Sequence, residues 1–160
     1  MVGLPLENVQ PREPDCELPP YSTVPFRDVM NAAFEHLVNW IRDETPPPIA
    51  PRLQVAQALP SVEFARDRFG NVLGGIRLAE HAVPTAKNTG MNSGTGNRFC
   101  FLYGSHEVFS EAQLQSLYSS QEEYVQAVTR VVQENLSDGY ILPYAAERTI
   151  EDARVRDIGR

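Results

Sequence analysis

The sequence predicts a mixed α/β chain, α+β if taken as an isolated piece, with one long helix, a β-hairpin, short strands and three C-terminal helices. Three observations carry this. Apolar residues recur at helical spacing from Phe26 to Arg42 and stop at Pro46-Pro47-Pro48. Residues 61–78 place two apolar runs on either side of the turn-forming Asp67-Arg68-Phe69-Gly70-Asn71. Two Ser-x-x-Gln/Glu signals, at Ser110 and Ser120, and a Pro143 start then punctuate a helical last third.

Taken in order, residues 1–24 are Pro-rich and aperiodic and read as an extended arm. Helix 25–43 follows, with Pro25 suited to a first-turn or capping place. Phe26, Val29, Met30, Ala33, Phe34, Leu37, Val38 and Ile41 make one broad apolar stripe, and Arg27, Asp28, Glu35, Asn39 and Arg42 the polar side. Residues 44–105 read as hairpin and loops. Val62, Phe64 and Ala65 form a first strand and Val72 to Leu78 return, with Gly74-Gly75 marking a bulge or a close backbone approach. Residues 84–98 read as one long loop, and Phe99 to Tyr103 (FCFLY) as a short buried strand. Residues 106–160 form the helical end. Ser110 with Gln113 caps a short helix through Tyr118. Ser120 with Glu123 opens a helix to Ser137, with Tyr124, Val125, Val128, Val131, Val132 and Leu136 on one face. Asp138-Gly139 ends it, Pro143 starts the last helix through Arg156, and Gly159 closes the chain. A length of 160 residues fits a single domain, or part of one.

Composition excludes several classes. The formal charge is -7, with Lys87 the single lysine, so no basic stripe exists to neutralise phosphates and nucleic acid is not an expected partner. No apolar run approaches a membrane span. The first residues, MVGLPLENVQPREPD, have neither a basic n-region nor a continuous apolar h-region, so the expected location is cytoplasmic. Cys16 and Cys100 are too far apart for a compact metal knuckle; free buried thiols are the favoured reading and a bridge between them the alternative. Asn135-Leu136-Ser137 matches a glycosylation acceptor but falls inside a helix end.

No stretch assembles a catalytic signature. An α/β-type serine hydrolase needs G-x-S-x-G to lift the serine above its sheet, and that motif does not occur. Gly104-Ser105-His106 reads as a loop leaving the FCFLY run. A Ser105, His106 and Glu107 site is the weaker alternative, because adjacent residues rarely reach triad geometry. His36, His81 and His106 have no ligand partner at a metal-binding interval, so no metal and no cofactor is expected. His36 reads as a partly exposed helix residue, and His81 beside Glu80 as a surface ion pair in an extended segment. Cys100 reads as a small buried hydrophobe. Gly90 to Gly96 lacks the lysine of a phosphate loop and reads as a surface loop. Glu122-Glu123 and Glu151-Asp152 read as solvated helix faces.

Four stretches carry a family resemblance. Val29 to Leu53 (VMNAAFEHLVNWIRDETPPPIAPRL), Arg66 to Ala86 (RDRFGNVLGGIRLAEHAVPTA), Phe99 to Ser105 (FCFLYGS) and Tyr140 to Ala153 (YILPYAAERTIEDA) resemble, in the same order, segments of α/β-hydrolase-domain proteins of largely unassigned activity. The match covers roughly residues 15 to 158. The resemblance implies the C-terminal region of an α/β-hydrolase-like fold, from a class expected to hydrolyse esters or related acyl bonds. It also implies that nucleophile, acid and histidine precede Phe26, so no catalytic role carries over to this chain. Met91, where the family pattern has a tryptophan, and the short loop around Gly94 depart from it. Without a central parallel sheet the stripe of the first helix has no layer to cover it. The expected partners are therefore a second chain supplying the rest of the fold, or self-association. A small non-catalytic protein-interaction module is the alternative function.

Overall fold

The computed structural model describes residues 16–18, 21–94 and 99–158. Most of the expected arm, together with Gly96 and Gly159, lies outside the described residues. The mixed α/β class holds: helices combine with short antiparallel strands.

Helix α1 spans Phe26–Asp43, starting after Pro25 and ending where Glu44 turns left-handed (φ 58°) and donates its N–H to the Trp40 carbonyl at 3.1 Å. Asp28 and Ala32 are the buried residues of α1, and His36, one further turn along, is half-buried. This i, i+4 ridge faces the body of the molecule.

The central region departs most from expectation. Strand β1 (Val55–Gln57) pairs antiparallel with β2 (Glu63–Phe64). The expected turn forms: Asp67 donates to the Asn71 carbonyl at 2.8 Å, while its Oδ1 accepts from the N–H groups of Phe69 and Asn71 at 2.9 and 3.0 Å. The returning strand, expected through Leu78, shrinks to the Arg66–Val72 and Leu53–Gly74 bridges. The reason is local. Gly74 and Gly75 both have positive φ (77° and 66°), which ends extended backbone, and a Cβ on Gly74 would lie 2.3 Å from the Arg52 carbonyl oxygen. The close backbone approach read from this pair is therefore present.

Four further readings are corrected. Glu80 and His81 lie on a short helix, α2 (Ala79–Ala82), not in an extended surface segment. The expected loop 84–98 contains strand β3 (Ala86–Thr89). The FCFLY run is not a buried strand: Cys100–Leu102 is a 3₁₀ turn with Cys100 buried and Phe99, Phe101 and Leu102 exposed. Strand β4 (Ser105–Val108) replaces the loop expected at Gly104-Ser105-His106, and its last residues fall in the part read as wholly helical. β3 and β4 pair antiparallel, and this non-local pairing promotes two weakly patterned segments to strands.

Cys16 and Cys100 are joined by a disulfide, which overturns the free-thiol reading. At a sequence separation of 84, spacing carries no information on whether the two Cα atoms meet.

The helical end follows expectation. α3 (Glu111–Leu117) carries a reciprocal capping box between Ser110 and Gln113. α4 (Gln121–Ser137) is capped by the Ser120 side chain, which accepts from the Glu123 N–H; the Glu123 carboxylate turns instead to Ser119, taking its N–H at 2.9 Å. α5 spans Pro143–Val155. Tyr124, Val128 and Val132 of α4 and Ala145, Ala146 and Ala153 of α5 interlock with Leu78, Ala79, Val83, Tyr118, Ile141 and Ile158 to form the core. Among the described residues, no helix is long and apolar enough to cross a membrane.

Candidate functional site

The ribbon of β3 and β4 positions the residues that the sequence singled out. Its register sets Asn88 opposite His106, Lys87 opposite Glu107 and Thr89 opposite Ser105. Side chains alternate across a strand, so cross-strand partners share a face and neighbours do not. His106 shares one face with the buried Ala86 and Asn88, whereas Lys87, Thr89, Ser105 and Glu107 share the other; Ser105 is itself buried and His106 half-buried. A cleft of about 440 Å³ is lined by Leu18, Lys87, Thr89, Ser105, His106 and Glu107. Gly104 (φ 62°) makes the close entry into β4, since a Cβ there would lie 2.2 Å from the Thr89 carbonyl oxygen.

His106 is held from one side. Its Nδ1 lies 2.8 Å from Asn88 Oδ1 and 3.2 Å from Thr23 Oγ1. The Asn88 backbone N–H in turn donates to Oδ1 of the fully buried Asn71 at 3.1 Å. With Nδ1–H donated to Asn88, the Nε2 lone pair is available. Burial, and then the Arg156 charge, lower the His106 pKa, so the ring is neutral at neutral pH. A neutral oriented imidazole is suited to accept a proton, but Ser105 projects from the opposite face of the strand. The ribbon thus holds Ser105, His106 and Glu107 close in sequence without composing a nucleophile–base pair.

The other two histidines lie outside the ribbon. His36 Nε2 lies 2.7 Å from the Gly139 carbonyl oxygen and ties α1 to the end of α4. Burial, with Arg77 second, lowers the His81 pKa. Glu122, Glu123, Glu151 and Asp152 are exposed. Among the described residues, no group of three or more His, Cys, Asp or Glu side chains is placed to hold a metal ion.

A second feature is a surface. Phe26, Phe34, Leu37, Val38 and Ile41 stand in solvent, Ile41 being 77% exposed and Phe34 60%. Most of the stripe that would ordinarily bury a helix points away from the body; Val29 and Ala32 pack inward, and polar contacts add to their hold on α1. Besides His36, Asn31 Nδ2 donates to the Tyr144 hydroxyl at 2.5 Å, and Arg148 pairs with Asp28. Sequence reading placed Asp28 on the solvent side. Its signal was the Asp28, Ala32, His36 spacing, which competes with a larger apolar stripe and loses on hydrophobicity alone.

No curated protein and no solved structure matches the chain. A family model described as an alpha/beta hydrolase domain matches residues 4–151, nearly the whole chain. In agreement with the four resembling stretches, the chain belongs to the alpha/beta hydrolase domain family.

Proposed function

We propose that the chain serves as the C-terminal segment of an α/β-hydrolase-like acyl hydrolase, inactive alone, flanking a site whose nucleophile lies on structure that covers α1. The observation that carries this reading is the outward apolar face of α1. A stripe that includes Phe34 and Ile41 stabilises a helix only when another layer removes it from water. The opposed faces of Ser105 and His106, and the absence of G-x-S-x-G from the sequence, support the inactivity of the isolated chain.

Hydrolysis of short-chain nitrophenyl esters by the purified chain, with and without a co-expressed upstream hydrolase half, tests the proposal. Turnover is expected only with both pieces. Turnover by the chain alone that disappears in Ser105→Ala would overturn it. The same exposed face favours one other reading, a non-catalytic interaction module docking through α1. Stable capture of the upstream half without turnover would select that module.

The expected cytoplasmic location sits poorly with the Cys16–Cys100 bond, because such bonds persist mainly in oxidising compartments. Thiol trapping in freshly broken cells distinguishes the two: labelling of both cysteines supports the cytoplasm, and protection of both excludes it.

A further inference from the structure

Asp28 is 2% exposed, yet among the described residues its Oδ1 has no hydrogen-bond partner, and Oε2 of Glu80 is buried in the same condition. Both side chains line a small, partly open cavity of about 10 Å³, together with Pro25, Val132, Asn135 and Thr149. That volume is at the lower limit for a single water. Two buried carboxylate oxygens without donors are costly unless one of them carries a proton. Arg148 pairs with the other oxygen of Asp28. Among the described residues Glu80 has no such ion pair, so it is the natural place for the proton.

We propose that Asp28 and Glu80 form a proton-binding site that fastens α1 to α2: the Glu80 carboxyl donates its proton to Asp28 Oδ1, directly or across one water. While the proton is held, both orphan oxygens are satisfied and α1 is anchored. When Glu80 ionises, two carboxylates face one cavity and the first turn of α1 loosens.

Charges on every neighbouring element bear on the pair. Arg27 lies 3.9 Å from Asp28 Oδ1 on α1, Arg148 comes from α5, and Arg156 follows it. On the far side of Glu80, Tyr124 of α4 and Asp152 of α5 line the adjoining pocket. Burial holds the Glu80 carboxyl above the usual carboxylate range, with the Asp28 charge adding to this; its own backbone hydrogen bond and the Arg156 charge oppose it. For an acid raised in the folded state, the stabilisation is complete below the unfolded pKa. It is lost as pH rises through the folded value.

The test is hydrogen exchange and thermal unfolding of the full chain between about pH 5 and pH 8.5, with exchange corrected for intrinsic base catalysis. The expected result is that α1 amides lose about tenfold in protection as pH rises while α4 amides hold, and that Tm falls by about 2–4 °C. Glu80→Gln keeps an N–H donor that does not titrate, so its α1 protection and Tm should be flat across the range. This also separates Glu80 from the three histidines. Parallel behaviour of wild type and Glu80→Gln overturns the proposal, as does equal loss of protection in α1 and α4. Stability that follows the identity of an added alkali ion rather than pH also overturns it. If Glu80→Gln does not fold, the wild-type contrast between α1 and α4 decides alone.

Discussion

α1 and α4 are near twins in sequence terms, 18 and 17 residues long, each with an apolar stripe at helical spacing. α4 buries its stripe, with Val128 and Val132 each 2% exposed, while α1 turns Phe34 and Ile41 to water and buries Asp28. The difference teaches that a stripe says a helix can be buried, and a facing surface says whether it is. α4 lies against α5 and α2, whose alanines admit close approach. α1 meets the same body through a narrow ridge whose one charged member is paired.

The largest effect expected from breaking this contrast comes from an identical change on both stripes. Val132→Asp would place an uncompensated carboxylate in the core and should cost about 4 kcal/mol or more, enough to unfold a marginal domain. Phe34→Asp on the exposed stripe should stay within about 0.5 kcal/mol in the isolated chain. Urea denaturation of the two variants measures both; a large cost at Phe34 would show that the α1 stripe is already covered.

A smaller change tests whether charge holds α1. Arg148→Ala leaves buried Asp28 with only the exposed, more distant Arg27 and should cost about 2–3 kcal/mol, discounted for the partly exposed arginine. Loss of α1 signals in amide exchange ahead of global unfolding would sharpen the comparison, and an unchanged stability would break it. The smallest effect concerns helix ends. Ser110→Ala and Ser120→Ala each remove a side-chain cap and should cost about 1 kcal/mol. Equal costs by thermal unfolding would show that the displaced Glu123 carboxylate, bound to Ser119, does not strengthen the α4 cap.

Legibility follows the range of the interactions. The caps at Ser110 and Ser120, the turn at Asp67 to Asn71 and the stop at Gly139 are local, and each is readable because the residue's own chemistry satisfies neighbouring backbone groups. The β3–β4 pairing and the Cys16–Cys100 bond join residues far apart in sequence, and no window around either partner carries them. The candidate site divides in the same way. The type and order of Ser105 and His106 are plain in the chain, but only the register with Thr89 and Asn88 puts them on opposite faces.

By itself, the sequence determined the mixed α/β class, the five-turn reach of α1, the caps of α3 and α4, the proline start of α5 and the family, because periodicity, capping and motif order are properties of adjacent residues. Only the tertiary structure decided which face of α1 is buried, that Asp28 is an interior carboxylate held by Arg148, and that Glu80 joins it at one small cavity. Burial is a relation between two surfaces, and the cost of a buried charge depends on the groups brought to it by other elements, which no single stretch of chain encodes.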